Sequence, residues 1–328
     1  MPSEGCNDSS VPTSDAEVYL SDVSPSDKPW DKHRAEADQV KDFYSLNELL
    51  VRYAERIQLC SRWLEFAQTT GDQGDLAFKL QSSHFCRVRH CPVCQWRRSL
   101  MWRARFFQAL PKLVNEYPTH RFIFLTLTVK NCELTELRST LAGMNKAWTL
   151  LTKRKQFPAV GWVKSVEVTR NAKDNTAHPH FHAVLMVPAG YFKRGYLSQA
   201  KWAELWQKSL RVDYTPVVNV KAVKAPPGVQ EDVLGAGLVR AVLETLKYGV
   251  KESDLVADPD WLHELTQQLH KTRAVAVGGV FKKYISEEEP EDLVHGEDEP
   301  DTELSENDPR FYFGWREKTR RYRLEEKR

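Results

Sequence analysis

Three histidines stand at alternate positions in "HPHFHAVLMV", residues 178–187, just ahead of an apolar run. Successive strand side chains point to opposite faces, so His178, His180 and His182 project from one face while Phe181 and Ala183 take the other. Neutral imidazoles placed this way can share one metal ion. A half-buried strand with incidental histidines is the plainer alternative, and the rest of the chain must decide. Glu167 in "KSVEVT" sits on a second expected strand, with Val166 and Val168 on its opposite face. A carboxylate aimed the same way as two histidines completes a three-ligand site with open positions, the pattern of a catalytic metal. Such a site can polarise a phosphoryl oxygen and hold a phosphodiester for attack. A salt-bridged surface glutamate is the alternative.

In "VRAVLETLKYGVKESD", Glu244, Tyr248 and Lys251 fall at i, i+4 and i+7, along one face of an expected helix. A tyrosine phenol beside a metal-bound phosphodiester can attack phosphorus and form a covalent phosphotyrosine. A glutamate one turn away can activate water to cleave that intermediate, and a lysine can offset phosphate charge. The competing reading is an amphipathic helix with a buried tyrosine and a surface ion pair.

Cys86, Cys91 and Cys94 supply three thiolates for a tetrahedral structural zinc, and Cys60 on the preceding expected helix is the best fourth. His84 and His90 are alternatives to Cys60, because spacing does not choose among them. Arginines alternate with these cysteines in "CRVRHCPVCQWRR", which suggests that the knuckle also meets phosphate. Trp96, Trp102, Phe106 and Phe107 could stack on unpaired bases, but their spacing fits a helix packing its apolar face better.

The elements that must position these residues read as an α+β alternation. Helical patterning covers 44–68, 97–117, 133–153, 198–210 and about 230–250; strands are expected at 121–129, 161–170, the histidine run and 215–223. Residues 1–38, rich in Ser, Pro and Asp, read as a disordered acidic leader, and 286–309, with 12 acids and no base, as an acidic linker. Residues 310–328 form a basic aromatic tail, leaving 39–117 as a helical zinc-binding region whose arginines suggest DNA contact, and 118–285 as the domain that carries the histidine, glutamate and tyrosine motifs. The net charge of +2 hides a segregation: residues 39–285 carry 36 bases against 21 acids, as a protein that tracks phosphates would. The longest apolar runs are too short to span a bilayer and the N-terminus is no secretory signal, so a cytoplasmic protein without membrane contact is expected.

"FIFLTLTV", "HPHFHAVLMV" and "LETLKYGVKE" stand in the order of the three motifs of plasmid rolling-circle replication initiators. The upstream "FCRVRHCPVCQWRRS" is similar to the cysteine-rich segment of the branch that pairs one tyrosine with a glutamate. The chain thus resembles, over about residues 55–255, the Rep proteins of the histidine-hydrophobic-histidine (HUH) endonuclease superfamily. The resemblance implies a central antiparallel sheet flanked by helices, with His180 and His182 as ligands of Mg²⁺ or Mn²⁺ and Glu167 as their partner. It implies Tyr248 as the nucleophile that nicks the plasmid origin and keeps the 5′ phosphate, and Glu244 as the base that ends a replication round. Lys251 is a further candidate; His178 is a weak ligand candidate, because Pro179 disturbs the strand beside it. Origin DNA, single-stranded or extruded as a hairpin, is the implied partner, with a host helicase and DNA polymerase. The oligomeric state stays open, a dimer included. The same chemistry would serve a transposase or conjugative relaxase; a zinc-bearing DNA-binding regulator without catalysis would leave the histidine pair unexplained.

Overall fold

In a computed structural model of the chain, residues 17–70, 76–223, 235–247, 249–287, 293 and 309–327 are described. The chain opens with α1 (Leu20–Val23), α2 (Pro29–Ser45) and α3 (Val51–Leu59). The hairpin of β1 (Trp63–Thr70) and β2 (Leu76–Ser83) follows, then a cysteine knuckle and the long α4 (Pro92–Glu116). Next come β3 (Arg121–Thr128), α5 (Leu137–Thr152), β4 (Gly161–Arg170), β5 (Ala177–Val187), α6 (Gln199–Leu210) and β6 (Val218–Ala222). After these stand α7 (Gly235–Thr245), α8 (Glu252–Leu255), α9 (Pro259–Leu269), β7 (Val275–Gly279), β8 (Arg310–Arg316) and β9 (Arg321–Lys327). The fold is α+β, with two antiparallel sheets of strand order β2-β1-β8-β9 and β6-β3-β5-β4-β7.

β5 lies at the centre of the larger sheet and is covered on both faces. Phe181, Ala183, Leu185 and Val187 join the core with Trp148 of α5 and Trp202 and Trp206 of α6. Val184 and Met186 face the other way, against Phe106 of α4 and Leu238 and Val242 of α7. This double cover explains the unbroken apolar run after His182, and each large side chain removed from water contributes about 1.5–3 kcal/mol. His182 and His180 occupy the same face as Val184 and Met186, one and two steps beyond Val184 toward the start of the strand.

The structure revises the reading of both termini. From Glu17 onward the expected disordered leader is ordered: α2 buries Trp30, His33, Arg34, Ala37, Val40 and Tyr44 on one face. Two of those inward positions are polar, which hides the helical period from a hydrophobicity count; Arg34 pairs with Asp38 at 3.0 Å and donates to the Ile57 carbonyl at 3.3 Å. The helix expected over 44–68 stops at Leu59, and the following strand buries Leu64, Phe66 and Ala67. The basic aromatic tail is a β-hairpin whose Phe311, Phe313 and Trp315 alternate inward, pairing with β1 across the sheet. The region 39–117 is therefore part helix and part sheet, completed by the far C-terminus. Most of the expected acidic linker, and residues 1–16 of the leader, lie outside the described residues.

Candidate active site

β4 and β5 are neighbours with Glu167 directly opposite His180, so a carboxylate and two imidazoles emerge side by side from one face. Glu167 Oε2 lies 2.9 Å from His180 Nε2 and 2.8 Å from His182 Nε2. One ligand atom from each of the three lies within 4.8 Å of the others. The rings are held from behind. His180 Nδ1 donates to the His178 carbonyl at 3.2 Å, while His182 Nδ1 meets the Thr126 hydroxyl at 3.1 Å and its ring stacks on Phe124. A partner on Nδ1 fixes the ring and directs Nε2 at the shared point, as metal sites require. His178 stands opposite Thr169, two cross-strand pairs further along, and supplies none of the three converging atoms.

Glu167 is 3% exposed. Burial alone would raise its pKa, but hydrogen bonds from His180, His182 and Lys247 outweigh burial and hold the carboxyl far below the usual carboxylate range. Lys247, which sequence reasoning passed over, places Nζ 2.9 Å from Glu167 Oε2 and 2.6 Å from Glu244 Oε1. Burial would lower its pKa, yet those two carboxylates raise it. Glu244 thus reaches the site through Lys247. The signal for Lys247 was its place immediately before Tyr248 in "LKYG".

The helix expected to carry Glu244, Tyr248 and Lys251 on one face ends at Thr245. Beyond it the chain runs along the edge of β4, where Val168 donates to the Gly249 carbonyl at 2.8 Å and Val250 bridges to Val168. A Cβ on Gly249 would come within 3.1 Å of the Val166 carbonyl, a close approach that suits glycine. Lys251 consequently leaves the expected helix face: it is exposed and stands as the N-cap of α8. Tyr248 lies outside the described residues.

Cys60, Cys86, Cys91 and Cys94 converge in a buried cluster, with Cys60–Cys94, Cys86–Cys94 and Cys60–Cys91 sulfur separations of 3.6 Å each. Zinc–thiolate bonds of about 2.3 Å at tetrahedral angles separate sulfurs by about 3.8 Å, whereas a disulfide needs about 2.05 Å. The donor set and spacing fit a structural zinc. Burial pushes the Cys86 and Cys91 thiols up, a cost that a bound dication offsets. His84 is exposed and His90, although buried, stands outside the cluster, so Cys60 completes the set of four. Trp96 packs edge-on against Trp30 at 4.8 Å and Phe106 against Phe281 at 5.8 Å, so both serve the core.

Among the described residues no helix is long and apolar enough to cross a membrane. The profile of the Replication protein family matches residues 77–323. A "Protein rep" of Streptococcus pneumoniae serotype 2 is 35% identical over 258 residues, 75% of this chain and 77% of its own. A "Protein rep" of Lactiplantibacillus plantarum is 35% identical over 280 residues, 82% and 85% of the two chains. A "Replication protein" of Staphylococcus aureus is 31% identical over 207 residues, 58% and 86%. No solved structure matches. The match includes Glu167, both converging histidines, three of the four cysteines and β8 of the C-terminal hairpin, and the chain belongs to the Replication protein family.

Proposed function

We propose that the chain initiates plasmid rolling-circle replication by nicking one strand of the origin and later rejoining or releasing it. The observation that carries this reading is the convergence of Glu167, His180 and His182 on one point, with Lys247, the covalent neighbour of Tyr248, ion-paired to the same carboxylate oxygen. Two imidazoles and a carboxylate suit Mg²⁺ or Mn²⁺, which when bound would polarise a non-bridging phosphate oxygen.

The chain's own groups supply the rest. The Tyr248 phenol loses its proton and its oxygen bonds to phosphorus; the P–O3′ bond breaks, the 3′ oxygen takes a proton, and the freed 3′ hydroxyl primes synthesis. The 5′ phosphate stays on the tyrosine until another 3′ hydroxyl, or a water deprotonated by Glu244, displaces it. Lys247 takes the charge-offsetting role in place of Lys251, because it already stands between Glu167 and Glu244. Helicase and polymerase recruitment belongs to the same proposal, since a primed 3′ end requires both.

The test is incubation with Mn²⁺ and labelled single-stranded oligonucleotides tiled across the plasmid's own origin, read on a denaturing gel. One oligonucleotide should be cut and leave a protein adduct, and both products should vanish in Tyr248→Phe and in the double variant His180→Ala, His182→Ala. Cutting that survives Tyr248→Phe would refute the assigned nucleophile.

A further inference from the structure

A cavity of about 340 Å³ lies between the cysteine knuckle and the segment that follows α7. Its volume is in the range of small-ligand sites. One wall is Val166 and Val168 of β4 with Lys247, Gly249 and Val250 along its edge; the facing wall is the knuckle and the first turns of α4. Cations dominate the lining: Arg87, Arg89, Arg98, Arg273 and Lys247 stand against the single carboxylate of Glu287. That carboxylate is already engaged by Arg273 at 2.9 Å and by the Val277 amide. Arg89 is held by a backbone carbonyl, that of Thr272 at 2.5 Å. A wall of this kind attracts phosphate.

The polar groups facing it ask for something besides phosphate. His90 is 1% exposed and lines the cavity, yet among the described residues neither ring nitrogen has a hydrogen-bond partner, and the buried Gln95 amide nitrogen beside it has none either. Leaving such donors and acceptors unmade costs about 1–3 kcal/mol each, so three such atoms on one wall point to a ligand that completes them. An imidazole and a carboxamide together offer both donors and acceptors, the complement of a nucleobase edge. Trp102 adds an aromatic face to the same lining.

We infer that this cavity holds one unpaired nucleotide of the origin strand, its base read by His90 and Gln95 and its phosphate held by Arg89, Arg98 and Lys247. The inference deepens the nicking proposal and rests on it for the identity of the strand. Lys247 belongs both to the cavity and to the Glu167 ion pair, so the bound nucleotide sits next to the cleavage site and sets its register. The zinc knuckle is thereby a reader of sequence as well as a structural clip.

The test uses the full zinc-loaded chain and fluorescein-labelled single strands tiled across its plasmid, followed by anisotropy without added Mg²⁺ or Mn²⁺. The tightest strand is then scanned with single abasic substitutions. One position should cost about tenfold or more in affinity. That penalty should fall below about twofold in Gln95→Ala and in His90→Phe, with zinc content and melting temperature checked for each. A flat scan, or a penalty that both folded variants retain, would overturn the pocket while Mn²⁺-dependent nicking by wild type leaves the nuclease reading standing. The reverse result, a penalty erased by both variants in a protein that never nicks, would support the pocket and refute the nuclease. Displacement of the strand by a free deoxynucleoside monophosphate near millimolar concentration would also overturn it, marking a mononucleotide site instead.

Discussion

Lys247 should oppose the metal and assist the chemistry, and substituting it separates the two effects. Its Nζ lies 2.9 Å from Glu167 Oε2, and a hard dication on that oxygen would sit about 2.1 Å away. The ammonium and the dication are then no more than about 5 Å apart, so the repulsion at that distance is a lower bound. Coulomb's law gives a repulsion of about 1.7 kcal/mol with bulk-water screening and about 7 kcal/mol at an effective dielectric of 20. In Lys247→Met this repulsion disappears, and Glu244, whose Oε1 is 2.6 Å from the same ammonium, loses its counter-charge. Both changes favour the cation. Mn²⁺ affinity, measured by titration calorimetry on zinc-saturated protein at pH 7, should rise about tenfold or more. Nicking of the cognate strand at saturating Mn²⁺ should fall on the order of a hundredfold, as expected when a donor to a charged phosphate is lost. Tighter metal with slower nicking is the signature. Unchanged or weaker Mn²⁺ binding would show that Lys247 does not stand over the cation site, and the assignment would fail.

Three further expectations concern the scaffold. Cys60→Ser should reduce zinc from one per chain, measured by chelator-dye titration after denaturation, and lower the melting temperature; retained stoichiometric zinc would point to another fourth ligand. Lys164, buried beneath α5 with Nζ 2.8 Å from Asn145 Oδ1, has its pKa pushed down by burial from 10.5 to about 7. The unfolded chain binds more protons than the folded one between those values, so stability rises with pH through that window. Lys164→Met should therefore be more stable than wild type at neutral pH, by a margin that shrinks about 2 kcal/mol between pH 7 and pH 9 in urea unfolding; a constant margin would refute the buried charge. Tyr322 is fully buried and donates to the Ser61 carbonyl at 2.6 Å, so Tyr322→Phe should cost about 1–3 kcal/mol in the same assay. No loss would mean that the hairpin does not bind the knuckle region as described.

The geometry legible in the sequence was that of period-2 patterns with chemistry on one face. "HPHFHAVLMV" and "KSVEVT" show the alternation directly, and antiparallel pairing of their strands brings Glu167 opposite His180 without further information. Cys86, Cys91 and Cys94 converge as their spacing suggested, whereas the choice of Cys60 over His84 and His90 was left open by spacing and is made by the fold. Helix limits were less legible. The run from Glu244 to Lys251 fits a 3.6-residue period, but edge pairing with Val168 competes for the backbone beyond Thr245 and wins, moving Lys251 away and leaving Lys247 as the inward cation. At the N-terminus, α2 was obscured because Arg34 and His33 take inward positions that a hydrophobic pattern assigns to Leu or Val. Besides their local partners Asp38 and Glu36, they engage groups distant in the chain, the Ile57 carbonyl and Glu252.

Those distant partners tie the parts of the molecule that the sequence suggested dividing. β8 closes the sheet begun by β1, and Arg89 of the knuckle is fastened to the loop before β7. His33 and Lys32 of α2 both pair at 2.8 Å with Glu252, four residues beyond Tyr248. The proposed strand transfer would need a nucleophile held while its strand is exchanged and a ligand face that does not shift. Here the face is the central sheet, rigid by double burial, and the segment around the tyrosine is anchored from three directions. β4 holds Gly249 and Val250, Glu167 holds Lys247, and α2 holds Glu252. Severing the α2 contact by Glu252→Gln should thus slow nicking without changing Mn²⁺ affinity, because Glu252 touches the anchored segment and none of the three converging ligands. Stopped-flow single-turnover cleavage with a parallel Mn²⁺ titration reads both quantities, and an equal loss in the two would place Glu252 at the metal face instead.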